Sequence, residues 1–285
     1  MTDVPLAEAV DASLFGGKAA QLAVALGAGL PVPPGVALSV PLVEAVARGN
    51  PWAGRMLDQA LRPLRPPLAV RSSAVGEDSE QASFAGQHLT RLNLRTTTQV
   101  RDAVAAIQRS AHTPGALAYR RRLDLPRQPS IAVLVQEFVD ADCAGVLFTR
   151  NPLDGADELV IEASWGLGEA VVAGLVVPER LRVSRDGRVL ERSVGRKDVV
   201  VRPMPEGGTK EHRAPTELAH RQCLADAHVR KLLTLAHCCD RVFPGAHDLE
   251  WAFARTDLFL LQHRAVTRVT TPAARAAHIE RGGHP

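Results

Sequence analysis

The stretch DLEWAFARTDLFLLQHR, residues 248–264, alternates in a way that fixes its geometry. Two runs with period-two patterning flank Arg255 and Thr256, which predicts an antiparallel hairpin turning at those two residues. Cross-strand partners in such a hairpin carry numbers summing to about 512. Glu250 then stands opposite Gln262, and Asp248 opposite Arg264, all four on one face. Leu249, Trp251, Phe253, Leu261 and His263 take the other face, which is apolar apart from one imidazole. A carboxylate and an amide oxygen side by side, next to an arginine, suit a divalent cation held against phosphate oxygens. Taken alone, the pattern is better explained by an exposed sheet face with an Asp–Arg pair.

Upstream, RSSAVGEDSEQASFAGQ (71–87) follows the apolar run Leu68-Ala69-Val70. It is longer than a mere connection, which typically runs about 4–6 residues. Small side chains let backbone N–H groups approach a ligand, and Arg71 at its mouth favours an anionic one. FGGK (15–18) offers a glycine turn and a lysine at a helix start, another arrangement that favours an anion. It is not a P-loop: that motif needs GxxxxGK[ST], and Ala19 follows Lys18 here.

The chain has 285 residues, 46% of them hydrophobic, and a net charge of +3, so charge gives no support to a nucleic-acid binder. Only Lys18, Lys197, Lys210 and Lys231 are lysines; arginine supplies the remaining basic residues. No basic-then-apolar leader and no membrane-length apolar run is visible. Cys143, Cys223, Cys238 and Cys239 form no CxxC, and reduced cytoplasmic thiols are the expected state.

Helical periodicity marks residues 16–30, 40–61 and 98–122, and PRQP at 126–129 is a boundary. From 130 the pattern becomes β-rich: SIAVLVQEFV, AGVLFT, ELVIEAS and a hairpin at Asp186-Gly187, with one helix expected over 215–240. The expected organisation is α+β: a first lobe over 1–127, a second over 128–270, an antiparallel sheet plus helix, and a flexible tail over 271–285. GLGEAVVAG (166–174) resembles a dinucleotide fingerprint, but Val171 replaces the third glycine and a hairpin follows, so a nicotinamide enzyme is a weak alternative. His212, His220 and His228, spaced by eight, would lie about 12 Å apart on a helix, too far to share a metal ion. No nucleophile elbow or HExxH is present.

Taken together, these stretches resemble one family. GGKAAQL, GLPVPPG, VRSSAVGEDSEQASFAGQHLTRLN, VLVQEFV, AGVLFTRNP, IEASWGLGEAVVAG, VGRKDVVV and LEWAF…LLQHRAVT occur here. They stand in the order found in the N-terminal ATP-grasp domain of phosphoenolpyruvate synthase, pyruvate phosphate dikinase and rifampicin phosphotransferase. The resemblance spans residues 14–270 and implies a two-lobed ATP-grasp fold with the nucleotide between the lobes.

Carried over by position, it implies that Lys18, Arg71 and Arg264 contact phosphates and serve catalysis. Gly86 and Thr90 belong to a covering loop. Gln136, with the backbone around Glu137 and Val139, meets the adenine. Glu250 and Gln262 bind Mg²⁺, in agreement with the pairing derived above, and Lys197 occupies a family position without an assigned role. Ala265 stands where the family usually has proline, and the segment between PVPPG and AVRSS looks short. The family's phosphohistidine and substrate domains have no counterpart in these residues, and neither His278 nor His284 sits in a suitable motif. The expected activity is therefore transfer of phosphate from Mg-ATP to a histidine of a separate protein. A stand-alone kinase or ligase acting on a small molecule, or a non-catalytic nucleotide-binding module, are the alternatives; no nucleic-acid or membrane partner is expected.

Overall fold

A computed structural model of the protein describes residues 2–76, 89–122 and 129–266. The expectations for Gly86 and the tail fall outside the described residues. The chain divides into two compact units. The first comprises Met1–Asp140, Arg202–Lys210 and Phe259–Gln262; the second comprises Ala141–Val201, Glu211–Leu258 and His263–Pro285.

The first unit is built on a five-stranded sheet. Its strands are β1 (Asp3–Pro5), β2 (Gly35–Leu38), β3 (Leu68–Ala74), β4 (Thr90–Leu94) and β5 (Ile131–Glu137), in the order β1-β2-β5-β3-β4. The pairings β1–β2, β2–β5, β5–β3 and β3–β4 are antiparallel. Helix α1 (Ala12–Gly27) precedes β2, α2 (Val40–Ala47) and α3 (Pro51–Leu61) follow it, and α4 (Thr97–Ala111) and α5 (Pro114–Arg122) follow β4. The sequence pattern over 40–61 suggested one helix, but Arg48-Gly49-Asn50 divide it. Gly49 takes a positive φ of 73°. Asn50 caps α3 by accepting from the Trp52 and Ala53 amides, with Pro51 at the first helical position.

Period-two alternation explains why this sheet needs two layers of helix. Val70 and Ala74 of β3, and Ile131, Val133 and Val135 of β5, enter one apolar core with Leu42, Leu57, Val100, Val104 and Ile107. Arg71 and Ser73 alternate with them and so belong to the opposite face. Arg71 pairs with Leu134, Ser73 with Ala132 and Ala69 with Gln136. That second face is where α1 lies, since Ser73 Oγ accepts from the Ala19 amide at 3.0 Å. Because β5 pairs with both β2 and β3, the first unit runs to Asp140, beyond the sequence boundary at 127.

Strand β4 carries a feature the sequence did not announce. Between Leu68↔Leu94 and Val70↔Arg91 the register shifts, because β4 spends one residue more than β3. Asn93 sits in this bulge. It is fully buried and has a positive φ of 57°. Its Nδ2 donates to the Met204 and Gly208 carbonyls at 2.7 and 2.8 Å, and its own carbonyl accepts from the Gly208 amide. Residues 202–210 are thereby latched to β4, and the bulge sets Thr90 opposite Arg71. Asn93→Gly keeps the positive φ but deletes both amide bonds, so we expect a loss of about 1–2 kcal/mol. Hydrogen exchange at the Gly208 amide should quicken with it; exchange at the wild-type rate would show that the latch contributes nothing.

The second unit is organised on a six-stranded sheet. Its strands are β6 (Cys143–Phe148), β7 (Glu158–Trp165), β8 (Glu179–Ser184), β9 (Val189–Ser193), β12 (His247–Ala254) and β13 (Asp257–Ala265), in the order β13-β12-β6-β7-β8-β9. The middle of β13, Phe259–Gln262, is counted with the first unit. Between β9 and β12 lie β10 (Val199–Pro203), β11 (Thr209–Arg213), α7 (Thr216–Ala219) and α8 (Asp226–Val242). The helical region expected over 215–240 is thus interrupted between Ala219 and Asp226. His212, His220 and His228 consequently do not share a helix. After β7 comes only the single turn α6 (Glu169–Val172), and β8 returns antiparallel to β7. A dinucleotide βαβ crossover would make them parallel, so that alternative falls.

Candidate functional site

In the first unit the FGGK turn is pressed against β3. Gly16 breaks the helical conformation at φ 76°, ψ 166°, within the span of α1. A Cβ there would stand 2.1 Å from the Ser73 carbonyl oxygen, so only glycine permits the approach. The turn delivers Lys18, 4% exposed, whose Nζ donates to the Ser72 carbonyl at 2.9 Å. Arg71, one residue earlier on the same strand, is also buried. Its guanidinium donates to the Leu261 carbonyl and, through Nη2, to Gln262 Oε1 at 3.1 Å. Thr90 pairs directly with Arg71 and shares its face.

Gln136 belongs to this same face. It is 2% exposed, and its Nε2 donates to the Pro33 carbonyl at 3.2 Å. Gly35 lies opposite it across β2–β5, and a Cβ on Gly35 would meet Gln136 Cγ at 2.8 Å. The last glycine of PVPPG therefore makes room for this glutamine. Glu137 Oε1 accepts from the Arg65 amide, while its own backbone N–H donates to the Pro34 carbonyl. Val139 is half-buried in the segment just beyond β5. The fold thus gathers Lys18, Arg71, Thr90, Gln136 and Gln262 within one unit, although they are scattered widely along the chain.

The second unit contributes Glu250 and Arg264. Register places Glu250 opposite Val146, Val146 opposite Glu162 and Glu162 opposite Arg180. Directly paired residues project to the same side, so Glu250, Glu162 and Arg180 share a face of the sheet. Asp248, in line with Phe148, Val160 and Arg182, shares it too. Burial, and secondarily the charge of Glu250, push the Asp248 carboxyl up to about 6, while Arg264 pulls the other way. Among the described residues its Oδ1 has no hydrogen-bond partner. At the open end of the 248–264 hairpin, the Val266 amide donates to the Ala246 carbonyl at 2.7 Å. The numbers of that pair sum to 512, the register expected from the sequence.

The opposite face is apolar, with Leu249, Trp251 and Phe253 fully buried. His263 lies there, stacked on Phe243 at 3.8 Å, with Nε2 3.2 Å from Nδ1 of His247. Burial, then the neighbouring His247, drive its pKa down to about 3, and burial lowers that of His247 as well, against the pull of Asp240. Lys197 is fully buried and donates to the Val194 carbonyl at 2.5 Å. Desolvation lowers its pKa against the opposing pull of Cys223 and Glu179. It belongs to the interior of the second unit, a structural place that the sequence left open. Among the described residues, no cluster of three or more His, Cys, Asp or Glu is placed to hold a metal ion, and no helix is long and apolar enough to cross a membrane.

Residues 42–282 match the family model described as "Pyruvate phosphate dikinase, AMP/ATP-binding domain", and the chain belongs to that family. It is 39% identical over 202 residues to a probable phosphoenolpyruvate synthase of Methanothermobacter thermautotrophicus, covering 70% of this chain and 29% of the relative. It is 34% identical over 228 residues to the rifampicin phosphotransferase of Streptomyces sviceus, covering 79% of this chain and 26% of the relative. The chain therefore spans between a quarter and a third of the length of these relatives. Among solved structures, a dinucleotide-forming acetyl-coenzyme A synthetase from Candidatus Korarchaeum cryptofilum aligns with a TM-score of 0.46 at 13% identity, over 94% of both chains.

Proposed function

We propose that the chain binds Mg-ATP and transfers a phosphate from it to a histidine of a separate protein. The observation that carries this reading is the pairing of two buried cations, Lys18 and Arg71, on one sheet face beside Thr90, Gln136 and Gln262. Fixed positive charges beside hydroxyl and amide groups on one face suit the oxygens of a polyphosphate. Family membership and the names of the relatives, phosphoenolpyruvate synthase and rifampicin phosphotransferase, support ATP as the source of the polyphosphate.

In this reading Lys18 and Arg71 hold and orient the phosphates, and Arg264 neutralises charge that develops as the phosphoryl group leaves. Gln136 and the backbone near Glu137 and Val139 receive the adenine, and Gly86 with Thr90 covers the phosphates. Glu250 and Gln262 offer only hard oxygen donors, which suits Mg²⁺ and not a thiophilic metal. A site with so few protein ligands also fits an ion that keeps waters and takes phosphate oxygens. When bound, the ion would screen the phosphate charges. The acceptor histidine belongs to a partner because phosphoryl transfer needs in-line approach at near contact.

Calorimetry with a non-hydrolysable ATP analogue should show binding that weakens strongly when Mg²⁺ is withheld. Equal binding of NADH, or no binding of the analogue, would sink the reading. With radiolabelled ATP alone, an alkaline gel should show no stoichiometric label on the chain. A stable phosphohistidine on this polypeptide would move the acceptor from the partner to the chain itself.

A further inference from the structure

Lys18 comes from α1 and Arg71 from β3, so the spacing of the two cations depends on how the helix start is held to the strand. Gly16 interrupts the helical conformation, and the helix starts afresh beyond it. The first amides of any helix lack partners within it, and a residue just before them usually supplies a side-chain cap. Gly16 has no side chain to offer. Ser73 supplies the cap from β3 instead: its Oγ accepts from the Ala19 amide at 3.0 Å, and both residues are fully buried. Ser73 is paired with Ala132 of β5, and it stands two residues from Arg71 on the same face. One hydroxyl thus ties the residue after Lys18 to the strand that carries Arg71.

We propose that Ser73 is a positioning residue for polyphosphate binding: its hydroxyl fixes the root of Lys18 relative to Arg71, so that both cations meet one phosphate chain. This rests on the reading of Lys18 and Arg71 as phosphate contacts. A lysine carries its charge on a long, flexible stem, and ordering that stem on binding costs entropy. Holding its root against a paired strand removes part of this cost before the ligand arrives. Without the hydroxyl, the buried Ala19 amide loses its acceptor, which costs more than a bond between neutral groups contributes. The helix start then relaxes by lifting from β3, and it carries Lys18 out of register with Arg71. Ser73 acts through Lys18 and touches no phosphate itself.

The test is a double-mutant cycle on the full chain, with affinity for a non-hydrolysable ATP analogue measured by calorimetry. Ser73→Ala alone should weaken binding about tenfold, and Lys18→Met alone about tenfold to a hundredfold. In the Lys18→Met background, Ser73→Ala should cost less than about twofold, because the group it positions is gone. A hydroxyl that only stabilises the fold would cost the same factor in both backgrounds. Adenosine gives a second reading on the single variant. Lacking phosphates, it should bind Ser73→Ala as it binds the wild type. Should Ser73→Ala fail to fold, Ser73→Cys takes its place, since a thiol is close in shape and a much weaker acceptor. Additive losses in the cycle, wild-type affinity of the folded Ser73 variant for the analogue, or an equal loss of adenosine affinity overturns the proposal while leaving nucleotide binding intact. Absence of analogue binding to the wild type under every condition overturns the nucleotide reading and this proposal with it.

Discussion

Gly16→Ala should cost about 2–6 kcal/mol of stability and abolish nucleotide binding with it. Two effects add. The backbone at Gly16 has φ 76° and ψ 166°. That region is one that essentially only glycine occupies, and it costs roughly 1–3 kcal/mol for any other residue. The new methyl would also stand 2.1 Å from the Ser73 carbonyl oxygen and 2.4 Å from its carbon and its Oγ. Ser73 cannot yield, since β3 is hydrogen-bonded to β4 on one side and β5 on the other. Forced overpacking of this kind costs a further ~1–3 kcal/mol. Relief comes only by lifting the turn, which breaks the Ala19–Ser73 bond and carries Lys18 away from Ser72. Gly49→Ala is the control. Its φ is positive as well, at 73°. A Cβ there, however, meets nothing within 4 Å. The control should therefore lose only about 1–2 kcal/mol, the cost of the left-handed backbone alone. Urea denaturation and calorimetry decide the matter. A Gly16→Ala variant as stable as Gly49→Ala, with normal ATP binding, would show that the turn tolerates a side chain.

How far the sequence disclosed this fold depended on whether a signal was local. The hairpin at 248–264 could be read because period-two patterning and a two-residue turn leave little freedom of register. The Asp186-Gly187 turn was as plain, and β8 and β9 flank it. What failed was local continuity that tertiary contacts interrupt. Asn50 caps a new helix within an unbroken apolar pattern, and 216–242 is parted between Ala219 and Asp226. The membership of β5 was invisible for a different reason. Its run SIAVLVQEFV is buried on both faces and says nothing about which sheet it completes.

The candidate site shows the same division. Arg71 and Lys18 could be singled out from charge beside small residues, but their common face emerges only from the pairing of β3 with β5 and the packing of α1. Asn93 was missed altogether. A lone asparagine in a short strand resembles an ordinary polar position, and only its positive φ and its bonds to Met204 and Gly208 reveal a bulge. Ser73 was read as part of a small-residue loop, yet its hydroxyl is the contact that fixes the start of the FGGK helix.

Arg71→Lys should weaken nucleotide binding tenfold to a hundredfold, although the charge is retained. The guanidinium of Arg71 is already arranged as a fork, with separate nitrogens directed at the Leu261 carbonyl and at Gln262 Oε1. Two phosphate oxygens offer the same kind of paired acceptors, which a planar guanidinium can meet bidentately. A lysine ammonium is a point charge on a flexible stem and cannot serve both oxygens in that plane. Losing one charge-assisted hydrogen bond costs roughly 1.5–3 kcal/mol, which corresponds to the expected range. Arg264→Lys should behave alike if Arg264 also meets phosphate, but through a different balance. Arg264 opposes the upward shift of the Asp248 carboxyl, and a lysine retains that influence while losing the planar contact. Affinity for the ATP analogue, and turnover once an acceptor is supplied, should therefore fall in both variants, with melting temperatures close to wild type for Arg264→Lys. Wild-type affinity in either variant, with chemistry limiting the rate, would remove that arginine from the phosphate site.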